Sequence, residues 1–229
     1  MPNVIRLPYP RARRDSMPIE LAIALRRSIR RYRRGEPITL EQLSQLLWAC
    51  YGVSEPSRRF LTTPSAGATY PLEIYVAIYP SGVSTGSGFL DPGSYRYDPY
   101  SHSLELVKAG DLRYSLYKAC LDQPWVLDAS IAIVIGAVFE RTTSYYGSRG
   151  VRYVHFEAGH AGQNIYLEAT ALGLGTVAIG AFYDEEVSHA MAMPPSVKPL
   201  YIFVVGVPET KPKFSEEELR EFIDRNRGG

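Results

Sequence analysis

The sequence predicts a single layered domain of the α+β or α/β class. Apolar, strand-like runs alternate with amphipathic helical segments along the chain, and a β-hairpin interrupts this alternation. In the stretch 153–182, a helix with an apolar face of small residues is followed by two glycines, a short strand and a tight turn. We expect one domain over residues 1–229, with an N-terminal extension at 1–15 and a loop or hairpin elaboration at 81–110.

The first half of the chain contains two predicted helices, a strand and the hairpin. Ser16 and Pro18 are typical of a helix start, and the apolar side of this first helix is predicted to continue to Ile29. Thr39 and Gln42 form a capping box for a second helix. This second helix is predicted at 40–51. It is followed by a polar loop at 54–63, a turn at 64–71, a strand at 72–79, a Gly/Ser-rich loop at 81–88, and hairpin arms at 95–98 and 103–107.

The second half of the chain surrounds the central helix. The strand at 129–139 is the strongest strand prediction, because it is apolar and rich in β-branched residues. Residues 141–152 are predicted to form a polar connection into the central helix, which ends at Gly173. The other predicted segments are a helix at 111–121, a strand at 176–179, a turn at 180–182, a helix at 184–191, a strand at 199–207, a basic loop at 208–214 and a last helix capped by Ser215.

Charge and composition argue against several function classes. The formal net charge is +1, which favours neither nucleic acid nor a membrane surface as a partner. The longest apolar run is too short to span a membrane, and Cys50 and Cys120 have no metal-ligand spacing. Because no N-terminal signal pattern is visible, we expect a cytoplasmic protein. From the spacing of the two cysteines we expect that it binds no metal.

Three segments could carry chemistry. Arg26, Ser28 and Arg30 alternate, so in an extended or helix-end segment they can converge on one oxyanion such as a phosphate. The alternatives are a solvated basic face and a nonspecific nucleic-acid patch, and no aromatic stacking set interleaves the arginines. In the turn 64–71, backbone N–H groups and the Ser65 hydroxyl could hold the carbonyls of a planar ring; the alternative is a purely structural turn. The turn after the strand at 176–179 could present backbone N–H groups to a ligand.

Polar residues of the central helix are weaker candidates. Gln163 and Asn164 stand among apolar neighbours and would need partners if buried. His160 is more typical of a packed or surface histidine than of a catalyst. The sequence shows no P-loop, GxGxxG, HExxH or Ser–His–Asp signal.

Taken together, these segments resemble the nitroreductase-like FMN oxidoreductases, and among them the SagB/ThcOx-type dehydrogenases. The resemblance covers roughly residues 18–210 and rests on four segments in this order: RRSIRRY, PSAGATYPLEIYV, YGSRGVRYVHFEAGHAGQNIYLEATALGLGTVAIGAF and PLYIFVVGVP. It implies an α+β nitroreductase-like fold with a mixed, mainly antiparallel central sheet wrapped by helices. It also implies an intertwined homodimer with two FMN sites at its interface.

The resemblance further implies roles for individual residues and an activity. FMN would be reduced by a donor such as NAD(P)H and would pass hydride or electrons to a small acceptor, a quinone or a nitroaromatic compound. One subunit would supply the phosphate and ribityl contacts and the turn beside the isoalloxazine ring, and the other subunit would cover one side of the flavin. The predicted phosphate and ribityl ligands are Arg26, Arg27, Ser28, Arg30, Lys211 and Lys213. The turn beside the isoalloxazine ring is Ile179, Gly180 and Ala181. The residues from the other subunit are Pro64, Ser65, Ala66 and Gly67, and Asn164 is a further candidate ligand.

One position departs from the azoline-oxidising members of the subfamily, in which a Lys-Tyr pair precedes the central helix. Here Tyr146 keeps the tyrosine and is a candidate catalytic residue, whereas Tyr145 stands in place of the lysine. A phenol is a poor substitute for an amine whose pKa burial can lower into the working range. Oxidation of an azoline in a modified peptide is therefore a disfavoured alternative. A flavin-binding module without turnover is a second alternative.

Overall fold

The computed structural model describes residues 4–12 and 16–227, so residues 1–3 and 13–15 of the expected N-terminal extension lie outside the described residues. The strands are β1 (Val4–Arg6), β2 (Ile38–Thr39), β3 (Val53–Glu55), β4 (Phe60–Leu61), β5 (Leu72–Ile78), β6 (Val83–Ser84), β7 (Gly93–Asp98), β8 (Ser103–Ala109), β9 (Ile131–Ala137), β10 (Gly175–Ile179) and β11 (Lys198–Gly206). The helices are α1 (Ile19–Leu25), α2 (Leu40–Tyr51), α3 (Arg113–Ala119), α4 (Trp125–Asp128), α5 (Glu140–Tyr146), α6 (Arg149–Ala171), α7 (Asp184–Met191) and α8 (Glu216–Arg227), with one 3-10 turn at Ala66–Ala68.

A seven-stranded sheet forms the centre of the fold, in the order β1-β8-β7-β5-β9-β11-β10. Neighbouring strands in this sheet are antiparallel. A parallel β2-β6 pair and an antiparallel β3-β4 pair form separate two-stranded ladders. The predicted α+β class and mainly antiparallel sheet are therefore confirmed. The hairpin β7-β8, which lies in the segment 81–110, contributes two strands of the central sheet.

Both faces of the sheet are buried, because alternate residues of the central strands enter two different hydrophobic clusters. Along β5, Ile74 and Val76 belong to the cluster that contains residues of α2 and α6. Tyr75 and Ala77 belong to the cluster that contains residues of α3 and α7. The sheet is thus the middle of three layers, and this explains why its central strands read as nearly continuous apolar runs.

The small residues of the central helix allow it to approach the sheet closely, as the sequence predicted. Gly162 of α6 faces Phe203 of β11, and a Cβ at this glycine would lie 2.5 Å from the phenyl ring. Gly173 follows the helix with φ +73, a backbone conformation that glycine adopts without steric cost. Among the described helices, none combines the length and the apolar character needed to cross a lipid bilayer.

Several local predictions are wrong. The first helix ends at Leu25 and does not include Ile29, and Pro18, not Ser16, is its N-cap residue. The connection at 141–152 is mostly helical, because α5 occupies its first half and α6 begins at Arg149. The predicted polar loop at 54–63 holds most of the short hairpin β3-β4, which begins at Val53. The domain bounds stay a prediction; within the expected extension, residues 4–6 form the edge strand β1, which pairs with β8.

Candidate functional site

The arginine-rich segment leaves α1 in an extended conformation. Arg26 has φ −53 and ψ 122, and the Ile29 amide donates to the Thr176 carbonyl at 2.9 Å, so the segment runs beside β10. Ser28 and Thr176 form a parallel bridge. Because successive side chains of an extended segment point to opposite sides, the even-numbered and odd-numbered residues separate.

Arg26, Ser28 and Arg30 lie on one side of this segment. The Ser28 hydroxyl is 2.9 Å from the hydroxyl of Tyr166 on α6, and the Arg26 guanidinium lies over the Tyr166 ring, 5.1 Å from its centre. The Arg30 guanidinium is 5.3 Å from the ring centre of Trp125. Among the described residues, neither arginine forms an ion pair with a carboxylate. Both guanidinium groups are therefore available to an anion.

Arg27 lies on the other side of the segment. Its guanidinium donates at 2.8 Å to two backbone carbonyls at the C-terminal end of α1. Together with Lys211 it lines a cavity of about 350 Å³ next to the C-terminal end of α6. The Lys211 ammonium group lies beside Gly173, where an added Cβ would be 3.3 Å from Nζ. Lys213 is exposed in the loop after β11. Arg26, Ser28 and Arg30 thus lie on one side of the segment, and Arg27 lies on the other side with Lys211.

The turn after β10 offers its backbone to a ligand. The Ile179 side chain is only 2% exposed and belongs to the core, whereas Gly180 and Ala181 are exposed. The backbone amide of Ala178, the residue before Ile179 in β10, donates to the Tyr166 hydroxyl at 2.9 Å. The Gln123 side chain donates to the Ala181 carbonyl at 3.1 Å. These contacts fix the turn from both sides.

Tyr166 joins the segment and the turn into one surface. We call this surface the arginine half-site; it consists of Arg26, Ser28, Arg30, Gly180 and Ala181. Tyr166 is not among the residues predicted from the sequence, and neither are Gln123 and Trp125, which support this surface. A polar aromatic residue two positions after Asn164 on the central helix was a usable signal for Tyr166. No local pattern indicates Gln123 or Trp125, because their contacts cross the fold.

The turn at 64–67 has an unusual backbone. Gly67 has φ +58, and Ala68 and Tyr70 also have positive φ, at 52° and 45°. The Ser65 hydroxyl accepts a hydrogen bond from the Tyr70 amide at 2.9 Å and is also hydrogen-bonded to the Glu157 carboxylate. This hydroxyl therefore has two partners inside the protein, and its predicted contact with a planar ligand stays a prediction.

Asn164 and Tyr146 both lie against this turn. The Asn164 amide group donates to the Thr63 hydroxyl at 3.2 Å. The Tyr146 hydroxyl lies over Gly67, where an added Cβ would be 2.7 Å from the hydroxyl oxygen. Tyr146 also packs edge-on against Tyr153, with ring centres 5.1 Å apart. We call this second surface the turn half-site; it consists of Pro64, Ser65, Ala66, Gly67, Tyr146 and Asn164.

Helix α6 separates the two half-sites. Asn164 and Tyr166 are two positions apart, which corresponds to about 200° around a helix, so their side chains leave it on nearly opposite sides. Asn164 contacts Thr63, next to the turn half-site, and Tyr166 contacts Ser28 of the arginine half-site. His160 and Gln163 of the same helix are exposed. A planar ligand on the arginine half-site is therefore not covered by the turn of the same chain.

Comparison with known proteins gives consistent matches. The sequence profile described as the Nitroreductase family matches residues 23–207. A nitroreductase-like protein of Methanocaldococcus jannaschii is 44% identical over 192 residues, which cover 84% of this chain and 92% of that protein. The crystal structure of a nitroreductase-like protein of Ralstonia eutropha superposes with a TM-score of 0.76 at 29% identity and covers 90% of each chain. The Microcin B17-processing protein McbC of Escherichia coli is 26% identical over 172 residues, covering 74% of this chain and 62% of McbC.

Proposed function

The chain belongs to the nitroreductase family, and from this premise we propose that it is an FMN-dependent oxidoreductase. In this proposal, hydride or electrons pass from NAD(P)H through the flavin to a small acceptor, a quinone or a nitroaromatic compound. Family membership supports oxidoreductase activity. The observation that carries the choice of cofactor is the arginine half-site. In it Arg26 and Ser28 contact Tyr166, Arg30 packs on Trp125, and the Tyr166 hydroxyl also binds the Ala178 amide just before the exposed turn.

The residues of this half-site fit the chemistry of FMN. A phosphate monoester requires cations and hydroxyl donors at one end, which Arg26, Arg30 and Ser28 supply. The flavin ring requires hydrogen-bond donors along its edge, which the exposed backbone of Gly180 and Ala181 can supply. Lys211 lines the cavity on the other side of the segment with Arg27, and Lys213 is exposed after β11, so these two lysines would add only longer-range positive charge to the site. When bound, FMN supplies the redox chemistry, and the protein binds it, orients it and limits the access of water.

A second copy of the chain completes the site in this proposal. The turn half-site lies on the other side of α6, so it can cover the flavin only from a partner subunit. Its Gly67 and Tyr146 would then lie beside the face of the flavin at which donor and acceptor bind, and Tyr146 is the candidate catalytic residue. Helix α8 supports an intertwined assembly, because its apolar residues Leu219, Phe222 and Ile223 are all exposed in one chain.

The donor, the acceptor and the compartment belong to the same proposal. We expect the donor and the acceptor to occupy the flavin face in turn, since the sequence contains no separate dinucleotide-binding fingerprint. The protein would act in the cytoplasm, where NAD(P)H is present. Nucleic acid, membrane and metal play no part in this proposal.

A second candidate function is oxidation of an azoline ring in a modified peptide. The similarity to McbC, a microcin-processing protein, favours it. Against it stands Tyr145, whose side chain is 76% exposed and packs edge-on against Tyr146, with ring centres 4.7 Å apart. An exposed phenol does not provide the amine of the Lys-Tyr pair. We therefore rank this activity below reduction of a small acceptor.

The test is a visible spectrum of the purified protein followed by anaerobic titration with NADH and with NADPH. We expect flavin absorbance that bleaches with at least one donor and returns on addition of a quinone. The matched control is the Arg26→Ala/Arg30→Ala variant, which we expect to purify without flavin. Flavin that stays oxidised with both donors would favour the peptide substrate or a flavin carrier. A protein that takes up no FMN would overturn the proposal.

A further inference from the structure

Glu157 is a buried carboxylate that lies outside both half-sites. It lies on α6, is 3% exposed, and forms no ion pair with a Lys or Arg of the described residues. Burial raises its pKa to about 6, while hydrogen bonds from Ser65 and Tyr51 act in the opposite direction. A buried carboxylate without a cation is unfavourable unless several donors satisfy it. Its hydrogen bonds therefore indicate its role.

Two hydroxyl groups donate to this carboxylate and connect it to the backbone. An ionised carboxylate only accepts hydrogen bonds, so the hydroxyl hydrogens of Tyr51, at 2.5 Å, and of Ser65 must point toward it. The hydroxyl oxygens are then free to accept. The Ser65 oxygen accepts from the Tyr70 amide at 2.9 Å, and the Tyr51 oxygen accepts from the Leu72 amide at 3.3 Å. One carboxylate thus directs two backbone contacts, one on each side of Pro71.

The backbone held in this way is one that needs support. Between Ser65 and β5, the residues Gly67, Ala68 and Tyr70 all have positive φ. For non-glycine residues this conformation costs roughly 1–2 kcal/mol each, and it persists only where surrounding contacts impose it. The same stretch presents Gly67 to the Tyr146 hydroxyl. The shape of the turn half-site therefore depends on hydrogen bonds that end at Glu157.

We propose that Glu157 is a positioning residue for the turn half-site, acting through the hydroxyls of Ser65 and Tyr51. In the assembled protein it holds the turn in the shape that covers the cofactor on a second copy, and this part rests on the proposed function. Glu157 does not itself contact a ligand, because its carboxylate is buried beneath the turn.

The first test is amide hydrogen exchange of the flavin-free protein at pH 8, read by NMR. We expect Glu157→Gln and Ser65→Ala each to speed exchange of the Tyr70 amide by about tenfold, which corresponds to loss of roughly one hydrogen bond. Tyr51→Phe should speed exchange at Leu72 and leave Tyr70 unchanged. Glu140→Gln, an exposed glutamate of α5, is the matched control and should change neither amide. Unchanged exchange at Tyr70 in Glu157→Gln would overturn the proposal.

The second test asks whether Glu157 acts through Ser65 in cofactor binding. We expect Glu157→Gln and Ser65→Ala each to weaken FMN binding by about five- to tenfold. The double variant should bind more weakly than Ser65→Ala alone by no more than the loss that Tyr51→Phe causes, because the Ser65 contact can be lost only once and only the Tyr51 branch remains to be removed. Losses that multiply in the double variant would overturn a role through Ser65. If the wild type binds no FMN, the proposed function fails, and the exchange experiment still decides the role of Glu157.

Folding of the variants is checked in the same experiments. Should Glu157→Gln fail to fold, Ser65→Ala and Tyr51→Phe still test the two branches separately, because each removes one hydroxyl. Selective exchange at Tyr70 in one variant and at Leu72 in the other supports the proposal. Equal exchange at both amides in both variants contradicts it.

Discussion

The Asn164 amide group and the Tyr166 hydroxyl leave α6 on opposite sides, although only one residue separates them. Asn164 contacts Thr63 beside the turn half-site, and Tyr166 contacts Ser28 in the arginine half-site. The central helix thus connects both surfaces mechanically and at the same time keeps them apart. Two copies of the chain would place an arginine half-site of one copy against a turn half-site of the other.

This arrangement predicts that two inactive variants complement each other. We expect Arg26→Ala/Arg30→Ala to lack a functional arginine half-site, and Gly67→Val to lack a functional turn half-site. A heterodimer of the two variants contains one site in which both halves are intact. Unfolding and refolding the variants together should restore flavin binding and donor oxidation, up to about half of the sites in each heterodimer.

The controls for this experiment are each variant refolded alone, in which both sites are damaged. Recovery only in the mixture supports a site shared between subunits. No recovery in a mixture that size-exclusion chromatography and tagged-chain capture show to contain heterodimers would mean that both halves act within one chain.

The arginine half-site predicts a loss of cofactor affinity on removal of its cations. Arg26→Ala/Arg30→Ala should weaken FMN binding by about 3–5 kcal/mol, because charge-assisted hydrogen bonds to a phosphate are lost. Fluorescence titration with FMN measures this loss. Arg31→Ala is the matched control, since Arg31 is exposed in the same run but outside the half-site. Equal affinities of the double variant and the wild type would remove these two arginines from the site.

The contact between Gly67 and Tyr146 predicts a specific destabilisation. Gly67→Ala should lower the free energy of unfolding by about 1–2 kcal/mol, because φ is +58 and the added Cβ would be 2.7 Å from the Tyr146 hydroxyl oxygen. Adding Tyr146→Phe should recover part of this loss, since it removes the atom in closest contact. Urea unfolding of the two single variants and the double variant measures the coupling. Strict additivity would show that the backbone conformation alone is responsible.

The raised pKa of Glu157 predicts that its contribution to the free energy of unfolding decreases as the pH rises. Its pKa is about 6 in the folded protein and 4.5 ordinarily, so the folded state holds the proton more tightly than the unfolded chain does. The resulting stabilisation is fully present below pH 4.5 and is lost as the pH rises through 6. This 1.5-unit difference corresponds to about 2 kcal/mol, which Glu157→Gln removes.

Urea unfolding of the flavin-free protein at pH 4.5 and at pH 7.5 tests this sign. The free energy of unfolding of the wild type, minus that of Glu157→Gln, should fall by about 2 kcal/mol between the two pH values. Replacement of the exposed Glu140 by Gln serves as the control for the general pH dependence. A difference that stays constant, or that rises with pH, would contradict the raised pKa.

Local signals in the sequence predict many elements of the fold correctly. The capping box of Thr39 and Gln42 forms as expected, and α2 spans Leu40–Tyr51 as predicted. The predicted bounds of α7 are likewise correct, and the Glu218 amide donates to Ser215 at 3.2 Å as a cap. These features depend on contacts within a few residues, so a single sequence contains the required information.

The wrong predictions and the missed contacts concern residues that interact with parts of the chain distant in sequence. Ile29 has helical spacing from Leu25, but its amide pairs with Thr176 of β10, and this contact across the fold replaces another helical turn. The hydrogen bond of Ser65 to the buried Glu157 is likewise not indicated by the local sequence, because Glu157 is far away along the chain. The sequence indicated which segments carry the candidate site, but it did not indicate Tyr166 as the residue that joins them.

The pairing of Ile29 with Thr176 has a consequence for solubility. β10 is the last strand of the sheet, and an unprotected edge strand can add strands from other molecules. The segment after α1 lies along this edge, and its arginines place like charges where another chain would approach. The residues proposed to hold a phosphate therefore also disfavour strand addition at this edge. Substitutions that detach this segment from β10 should reduce the yield of soluble protein even when the core remains intact.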